Sequence, residues 1–251
     1  MKKLLHDVTL EAGEIALEFR SRLDSIQITE KSSKDLVTEV DIAVENHIRD
    51  RLLSQTPGFG FLGEENPETE GSVSRWVVDP IDGTHSFIHG QYYWSISIAL
   101  ETEGEILLGA VYAPSLGDLY LAEKGMGATR NGKPIQVSST TSLAKAMVGT
   151  GFACLRAGLE DNNLERFCRI AMETMDQRRF GSAAMDCCMV ADGQMDAFWE
   201  QHLSLYDLAA GALIAAEAGA VVTDFKGNPG LDPEAVLISN GKILPELLEL
   251  M

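Results

Sequence analysis

Apolar positions recur at helical spacing through the first twenty residues. Leu5, Val8, Ala12, Ile15, Ala16 and Phe19 share one face, so residues 3–22 are expected to form an amphipathic helix. The stretch 28–35, ITEKSSKD, is polar and reads as a loop. Asp41 is expected to open a second helix, with Val44, Ile48 and Leu52 on its apolar face. TPGFGFLGEEN then holds a turn and a short apolar strand ending at Glu64 and Glu65. From Trp76 the period shortens. WVVD is short and apolar, WSISIAL alternates over part of its length, and ILLGAVYAP and DLYLAEKG follow after brief turns. RNGKPIQVS carries an Asn-Gly hairpin signal. Strands spaced this closely predict an antiparallel meander.

The second half alternates. AMVGTGF, MDAFWE, AVVTDF and AVLIS read as strands. Helices are expected over 160–175, after Gly181, over 207–219 and at the C-terminus, with Gly219 as a stop. Mixed parallel and antiparallel sheets layered with helices fit this order. There is no internal repeat, low-complexity segment or linker. Two halves are expected, 1–140 and 141–251, packed as one compact unit.

Composition narrows the function classes. The chain has 251 residues, 45% of them apolar, enough for a substantial core. Its net charge is −18, with 38 acidic against 20 basic residues. That balance argues against nucleic-acid binding and gives no polybasic stretch for anionic membranes. An anionic substrate would have to be attracted locally, and a bound cation is the obvious means. Cys154, Cys168, Cys187 and Cys188 show no paired spacing and read as reduced core cysteines of a cytoplasmic protein. The first residues include Asp7, Glu11 and Glu14 and resemble no leader, and no run of about 18 apolar residues predicts a membrane span.

Glu64, Asp79, Asp82 and Asp207 each end an apolar segment or start a helix, and Asp41 opens one too. Singly, each reads as a cap or turn residue. Together they would repel one another unless cations bind between them. Pro80 fixes the chain between Asp79 and Asp82 and prevents a helix there. Ile81 can anchor this turn and leave its carbonyl free. Gly83 and Thr84 then begin a helix whose N–H groups attract an anion. Oxygen ligands with no His or Cys nearby favour Mg²⁺ over zinc. A phosphate between metal ions and a helix start is the arrangement for phosphoryl transfer to water.

These residues resemble those of the inositol monophosphatase family. DPIDGT at 79–84 is similar to its D-P-[IL]-D-G-T signature, GEE at 63–65 and DLVTEVD at 35–41 to its upstream elements, and YDLAAGALIAAEAG at 206–219 to its C-terminal signature. The resemblance implies an α/β (α+β) fold, a layered α-β-α-β-α sandwich with one large antiparallel or mixed sheet and a smaller mixed one. It implies a first Mg²⁺ on Glu64, Asp79 and the Ile81 carbonyl, and a second on Asp79, Asp82 and Asp207. Glu64 would also help hold a weaker third ion, with Glu65 close by. Thr84, hydrogen-bonded to Asp41, would orient and help deprotonate the attacking water. The Gly83 and Thr84 N–H groups would bind phosphate beside Asp82, Glu200 and the Gly181–Ala183 segment, Ala183 included, would meet inositol hydroxyls, and Lys31 would lie in a loop near the site. The implied protein is a cytoplasmic homodimer that hydrolyses inositol monophosphate, accepts Mn²⁺ and is inhibited by Ca²⁺ and Li⁺. Alternatives are histidinol phosphate, a sugar bisphosphate or adenosine 3′,5′-bisphosphate as substrate, or a non-catalytic metal-binding scaffold.

Departures from the pattern are few. Tyr206 stands where the family commonly has Trp, Gly219–Ala220 replaces Gly-Gly, and His85 follows the signature with no assigned role. Trp76, Trp94 and Trp199 are expected in the core or pocket walls. His6, His47, His89 and His202 show no ligand spacing and are expected at the surface. Met185, Met189 and Met195 read as core filler.

Overall fold

The computed structural model describes residues 1–23, 28–32, 35–71 and 73–251. Helix α1 spans Lys2–Arg20 and buries Leu5, Val8, Ala12 and Ala16, as its apolar spacing predicts. The polar stretch that reads as a loop is instead a hairpin, β1 (Ile28–Ser32) pairing antiparallel with β2 (Asp35–Thr38). Such a ribbon is held by backbone pairing, which a hydrophobic pattern does not report. Helix α2 (Glu39–Gln55) starts two residues before Asp41. Thr38 is its N-cap, and Asp41 reaches back to the Thr38 N–H as the third residue of a capping box.

The large sheet holds β3 (Gly60–Gly63), β4 (Ser74–Asp82), β5 (Ser95–Thr102), β6 (Glu105–Ala113), β7 (Asp118–Glu123), β8 (Ala128–Arg130) and β9 (Lys133–Pro134) in that order. β3 and β4 are parallel, and all later pairs are antiparallel. The expected meander is therefore present. Asn131 and Gly132, at φ 50° and 75°, make the tight turn between β8 and β9. The second sheet has the order β11-β10-β12-β14-β13 and is mixed. Its strands are β10 (Met147–Thr150), β11 (Asp176–Arg178), β12 (Ala197–Glu200), β13 (Val221–Asp224) and β14 (Val236–Ser239).

Side chains alternate across each sheet and so define five layers. On β4, Trp76 and Val78 pack with α1 and α2, while Val77 faces α6 (Ala183–Ala191) and α7 (Leu205–Glu217). On β12, Phe198 joins that same middle layer. Ala197 and Trp199 point the other way, toward α5 (Leu164–Glu173) and α8 (Leu244–Leu248). The order is helix, sheet, helix, sheet, helix. Because α7 lies between two sheets it needs no polar face, and its residues from Leu208 to Ala215 are all buried. Trp76, Trp94 and Trp199 are fully buried in this core. Cys154, Cys187 and Cys188 are buried and free, whereas Cys168 is exposed on α5, contrary to the expectation of four core cysteines. No helix among the described residues is long and apolar enough to cross a membrane.

Candidate active site

β4 carries the central carboxylates. Its pairing with β5 slips between Asp79 and Asp82, where three steps on β4 face two on β5. On a regular strand, residues three apart point to opposite faces. The extra residue of this bulge brings Asp79 and Asp82 to the same side. Pro80, which has no N–H to donate, occupies the interruption. The Asp79 carboxylate then accepts the Ile81 N–H at 3.0 Å.

The other acids come from helix starts. Asp207 is the third residue of α7 and accepts the Ser204 N–H at 2.6 Å in a capping box. Oxygens of Asp79, Asp82 and Asp207 lie within 4.8 Å of one another. Glu64, just beyond β3, lines the same cleft and faces Asp79 but stands outside this compact trio. Asp41 and Asp207 each use one oxygen to cap their own helix. The other Asp41 oxygen meets Thr84, and Asp207 lines the cleft beside Asp79 and Asp82.

Gly83 follows at φ 93°, in the region that disfavours a Cβ. It is also crowded: a Cβ there would lie 3.0 Å from the Gly181 carbonyl and 3.2 Å from that of Tyr93. The turn launches α3 (Thr84–Ile88), a single short turn of helix. Thr84 Oγ1 is 3.3 Å from Asp41 Oδ1 and 3.1 Å from the Ile81 carbonyl. Asp41 Oδ2 accepts from the N–H and hydroxyl of Thr38.

Burial sets the electrostatics. It raises Asp79 and Asp207 well above the usual carboxylate range, and the neighbouring acids add to the effect. Asp41 is raised by burial too. Asp82 reaches only about 6, because Ser182 and the Ala183 and Ala184 N–H groups donate to it. Thus Asp82 joins the second half of the chain, across the start of α6. A cavity of about 110 Å³ opens over these groups, and one of about 300 Å³ adjoins it past Glu64, Asp207 and Tyr206. Among the described residues, larger depressions elsewhere, such as that beside Arg75 and Glu68, hold no such cluster.

The expected substrate residues are placed less directly. Ala183 is buried, and its N–H is committed to Asp82, so Gly181 is the residue of that segment that lines the cleft. Glu200 is buried behind it, accepts the Ala153 N–H at 3.0 Å and is raised by burial to about 7. His85 is exposed and lines the cleft. Glu65 gives its N–H to Glu45. The Lys31 side chain lies outside the described residues.

Ser182 lies in the segment expected to meet substrate, but its bond to Asp82 was not foreseen, and two arginines were missed outright. Ser182 holds Asp82 at 2.6 Å. Arg156, at the end of α4 (Ala153–Arg156), and Arg179 both line the cleft, and neither is ion-paired among the described residues. Nothing in the local sequence distinguishes these arginines from the other basic residues.

The sequence profile of the inositol monophosphatase family matches residues 1–250. An inositol-1-monophosphatase of Mesorhizobium japonicum is 38% identical over 243 residues, 96% of this chain and 91% of its own length. A Nus factor SuhB of Pseudomonas aeruginosa is 40% identical over 244 residues, 94% of this chain and 90% of its own. The crystal structure of the extragenic suppressor protein suhB from Bartonella henselae superposes with a TM-score of 0.94 at 34% identity, covering 99% of this chain and 96% of the other. This chain therefore belongs to the inositol monophosphatase family.

Proposed function

We propose that this protein is a phosphomonoesterase that hydrolyses inositol monophosphate to inositol and phosphate, using Mg²⁺ held by its cleft carboxylates. The reading is carried by one observation: three aspartates with oxygens within 4.8 Å of one another beside a threonine bonded to a buried aspartate. An all-oxygen set of crowded, buried acids suits a hard divalent cation, which would relieve their mutual repulsion. Glu64, Asp79 and the Ile81 carbonyl would hold one ion, and Asp79, Asp82 and Asp207 a second. Glu64, with Glu65 near, would contribute to a third. Mg²⁺ bound there would neutralise the phosphate and make water more acidic.

The chain's own groups supply the orientation. A threonine hydroxyl has one proton. When Thr84 gives it to Asp41, its lone pairs are free to accept a hydrogen bond from water in the cleft. Asp41, buried and raised by that burial, is then the final proton acceptor behind Thr84. The Gly83 and Thr84 N–H groups, at the start of α3, face the phosphate, and Gly181 and Ala183 with Glu200 border the polyol. Mn²⁺ would substitute, while Li⁺ and Ca²⁺ would inhibit. The protein is read as a cytoplasmic homodimer whose ligand is a small phosphorylated polyol or amine, with neither nucleic acid nor membrane as partner.

The competing substrates share the chemistry. Buried Glu200, with a carboxylate oxygen to spare, suits hydroxyls better than a second phosphate. A panel of inositol 1-phosphate, histidinol phosphate, fructose 1,6-bisphosphate and adenosine 3′,5′-bisphosphate at saturating Mg²⁺ tests this. The highest kcat/KM is expected for inositol 1-phosphate. A higher value for histidinol phosphate would overturn the substrate assignment, and no turnover of any ester would favour the scaffold reading.

A further inference from the structure

Helix α2 buries two acids on its apolar side, Asp41 at 1% exposure and Glu45 at 0%. Buried carboxylates on a helix face are rare unless each holds something in place. Asp41 holds Thr84. Glu45, one turn further on, has no part in the chemistry described above.

Its partners lie around Glu64. Glu45 Oε2 accepts the Glu65 N–H at 2.8 Å. Oε1 accepts the Asn66 N–H at 3.0 Å and the Asn66 side-chain amide at 2.9 Å. On the near side, Gly63 passes so close that a Cβ there would stand 2.4 Å from the Glu45 carboxyl carbon. Arg49, a further turn along, takes the rest of the loop. It donates to Thr69 Oγ1 at 2.6 Å and to the Pro67 carbonyl at 3.0 Å, and its guanidinium lies over the Phe61 ring. Its Nη2 is also 3.8 Å from Glu45. Residues four apart on a helix stack along one face. Asp41, Glu45 and Arg49 therefore form a ladder whose upper two rungs fix the chain on both sides of Glu64.

The geometry points to Glu45 and Arg49 as positioning residues that hold the Glu64 carboxylate in register with Asp79. The same helix thus sets both the water-orienting pair and the Glu64 side of the cation site. The inference rests on the proposed role of Glu64 as a ligand. A carboxylate left to swing on an untethered loop must lose more freedom on binding a cation, so affinity falls while the fold persists.

Calorimetric titration of the substrate-free protein with Mg²⁺ alone tests it, across wild type, Glu45→Gln, Arg49→Gln, Glu64→Gln and Glu45→Gln/Glu64→Gln. Melts in EDTA report folding separately. Glu45→Gln is expected to weaken the Glu64-dependent binding step about tenfold, and Arg49→Gln about threefold. In the Glu64→Gln background, Glu45→Gln is expected to add nothing, because its effect passes through Glu64. Should Glu45→Gln fail to fold, Arg49→Gln carries the same comparison from the far end of the loop. Wild-type affinity in Glu45→Gln and Arg49→Gln, or additive losses in the double variant, would overturn the positioning role. Unchanged affinity in Glu64→Gln would overturn the ligand assignment and this inference with it.

Discussion

Thr84 Oγ1 and Asp41 Oδ1 stand 3.3 Å apart although 43 positions separate them in the chain. The contact joins the first turn of α2 to the single turn of α3. Asp41 is 1% exposed, and its second oxygen is already taken by Thr38. The oxygen facing Thr84 is therefore the one left for a proton relay.

Replacing Asp41 by Asn tests that relay. The Asn carbonyl can still accept the Thr38 N–H, so α2 keeps its cap. Its amide would then donate toward Thr84, forcing the threonine proton onto the Ile81 carbonyl. A kcat loss of about 10²–10⁴ is expected at saturating Mg²⁺, the usual scale for a general base. KM should change little. Steady-state kinetics decide the point, and a wild-type kcat would remove Asp41 from the mechanism.

Asp82→Asn separates a ligand role from a structural one. Asp82 accepts from Ser182, Ala183 and Ala184 at the start of α6. An Asn can meet some of these donors, but its own amide opposes the rest. At the same time it removes a charge from beside Asp79 and Asp207. These effects oppose each other. The metal-free melt is expected to stay within about 1–2 kcal/mol of wild type, while Mg²⁺ raises Tm less than in wild type, because the second ion is lost, and most turnover goes with it. Wild-type turnover in this variant would refute the ligand role of Asp82.

The residues that proved legible in the sequence are those whose local pattern coincides with their spatial role. Asp79, Asp82, Gly83 and Thr84 are contiguous, so one motif shows the bulge, the turn and the helix start together. Asp207 and Asp41 were legible as helix-start acids, and their site roles were implied only by the family resemblance; the fold places Asp207 in the cleft and Asp41 against Thr84. Arg156, Arg179, Glu45 and the hold of Ser182 on Asp82 were not legible. Each reaches its place through tertiary packing, α4 against Glu200, the 179–182 segment against Gly83 and α2 against the Gly63 turn. The β1–β2 pairing does not show in the apolar pattern for a related reason, since it depends on backbone geometry and not on apolar period.

The buried acids give the metal-free protein a signed pH dependence. Asp82 rises from 3.8 to about 6 and Glu200 from 4.5 to about 7, both chiefly through burial, and Asp79 and Asp207 rise too. A raised carboxyl binds more protons folded than unfolded between those two values, so stability falls as pH climbs through the window. Each unit of elevation costs about 1.4 kcal/mol once the group is ionised. Tm in EDTA is expected to fall from pH 5 to pH 8. Millimolar Mg²⁺ should restore most of it, because it binds the ionised folded site. Glu200→Gln should lessen the fall. A Tm in EDTA that is flat or rising over this range would show that these acids do not carry buried charge.

Arg156 and Arg179 line the cleft without an ion pair among the described residues, in a chain of net charge −18. An unpaired guanidinium beside a carboxylate cluster offers an incoming phosphate ester its first favourable charge contact before the ester reaches the cleft. Arg179 lies against Gly181, the neighbour of the Gly83 turn, so it stands at the phosphate side of the cleft. Both side chains are exposed, which limits each contact to about 1 kcal/mol. Arg179→Ala is therefore expected to raise KM for inositol 1-phosphate about fivefold with kcat within about twofold, and Arg179→Lys to recover most of the loss. The difference should shrink as ionic strength rises from about 0.01 M to about 1 M, as screening shortens the reach of the charge. Initial-rate measurements at both salt levels separate this from a structural effect. A KM that ignores both the substitution and the salt would place Arg179 outside substrate recognition, whereas a fall in kcat alone would move it into the transition state.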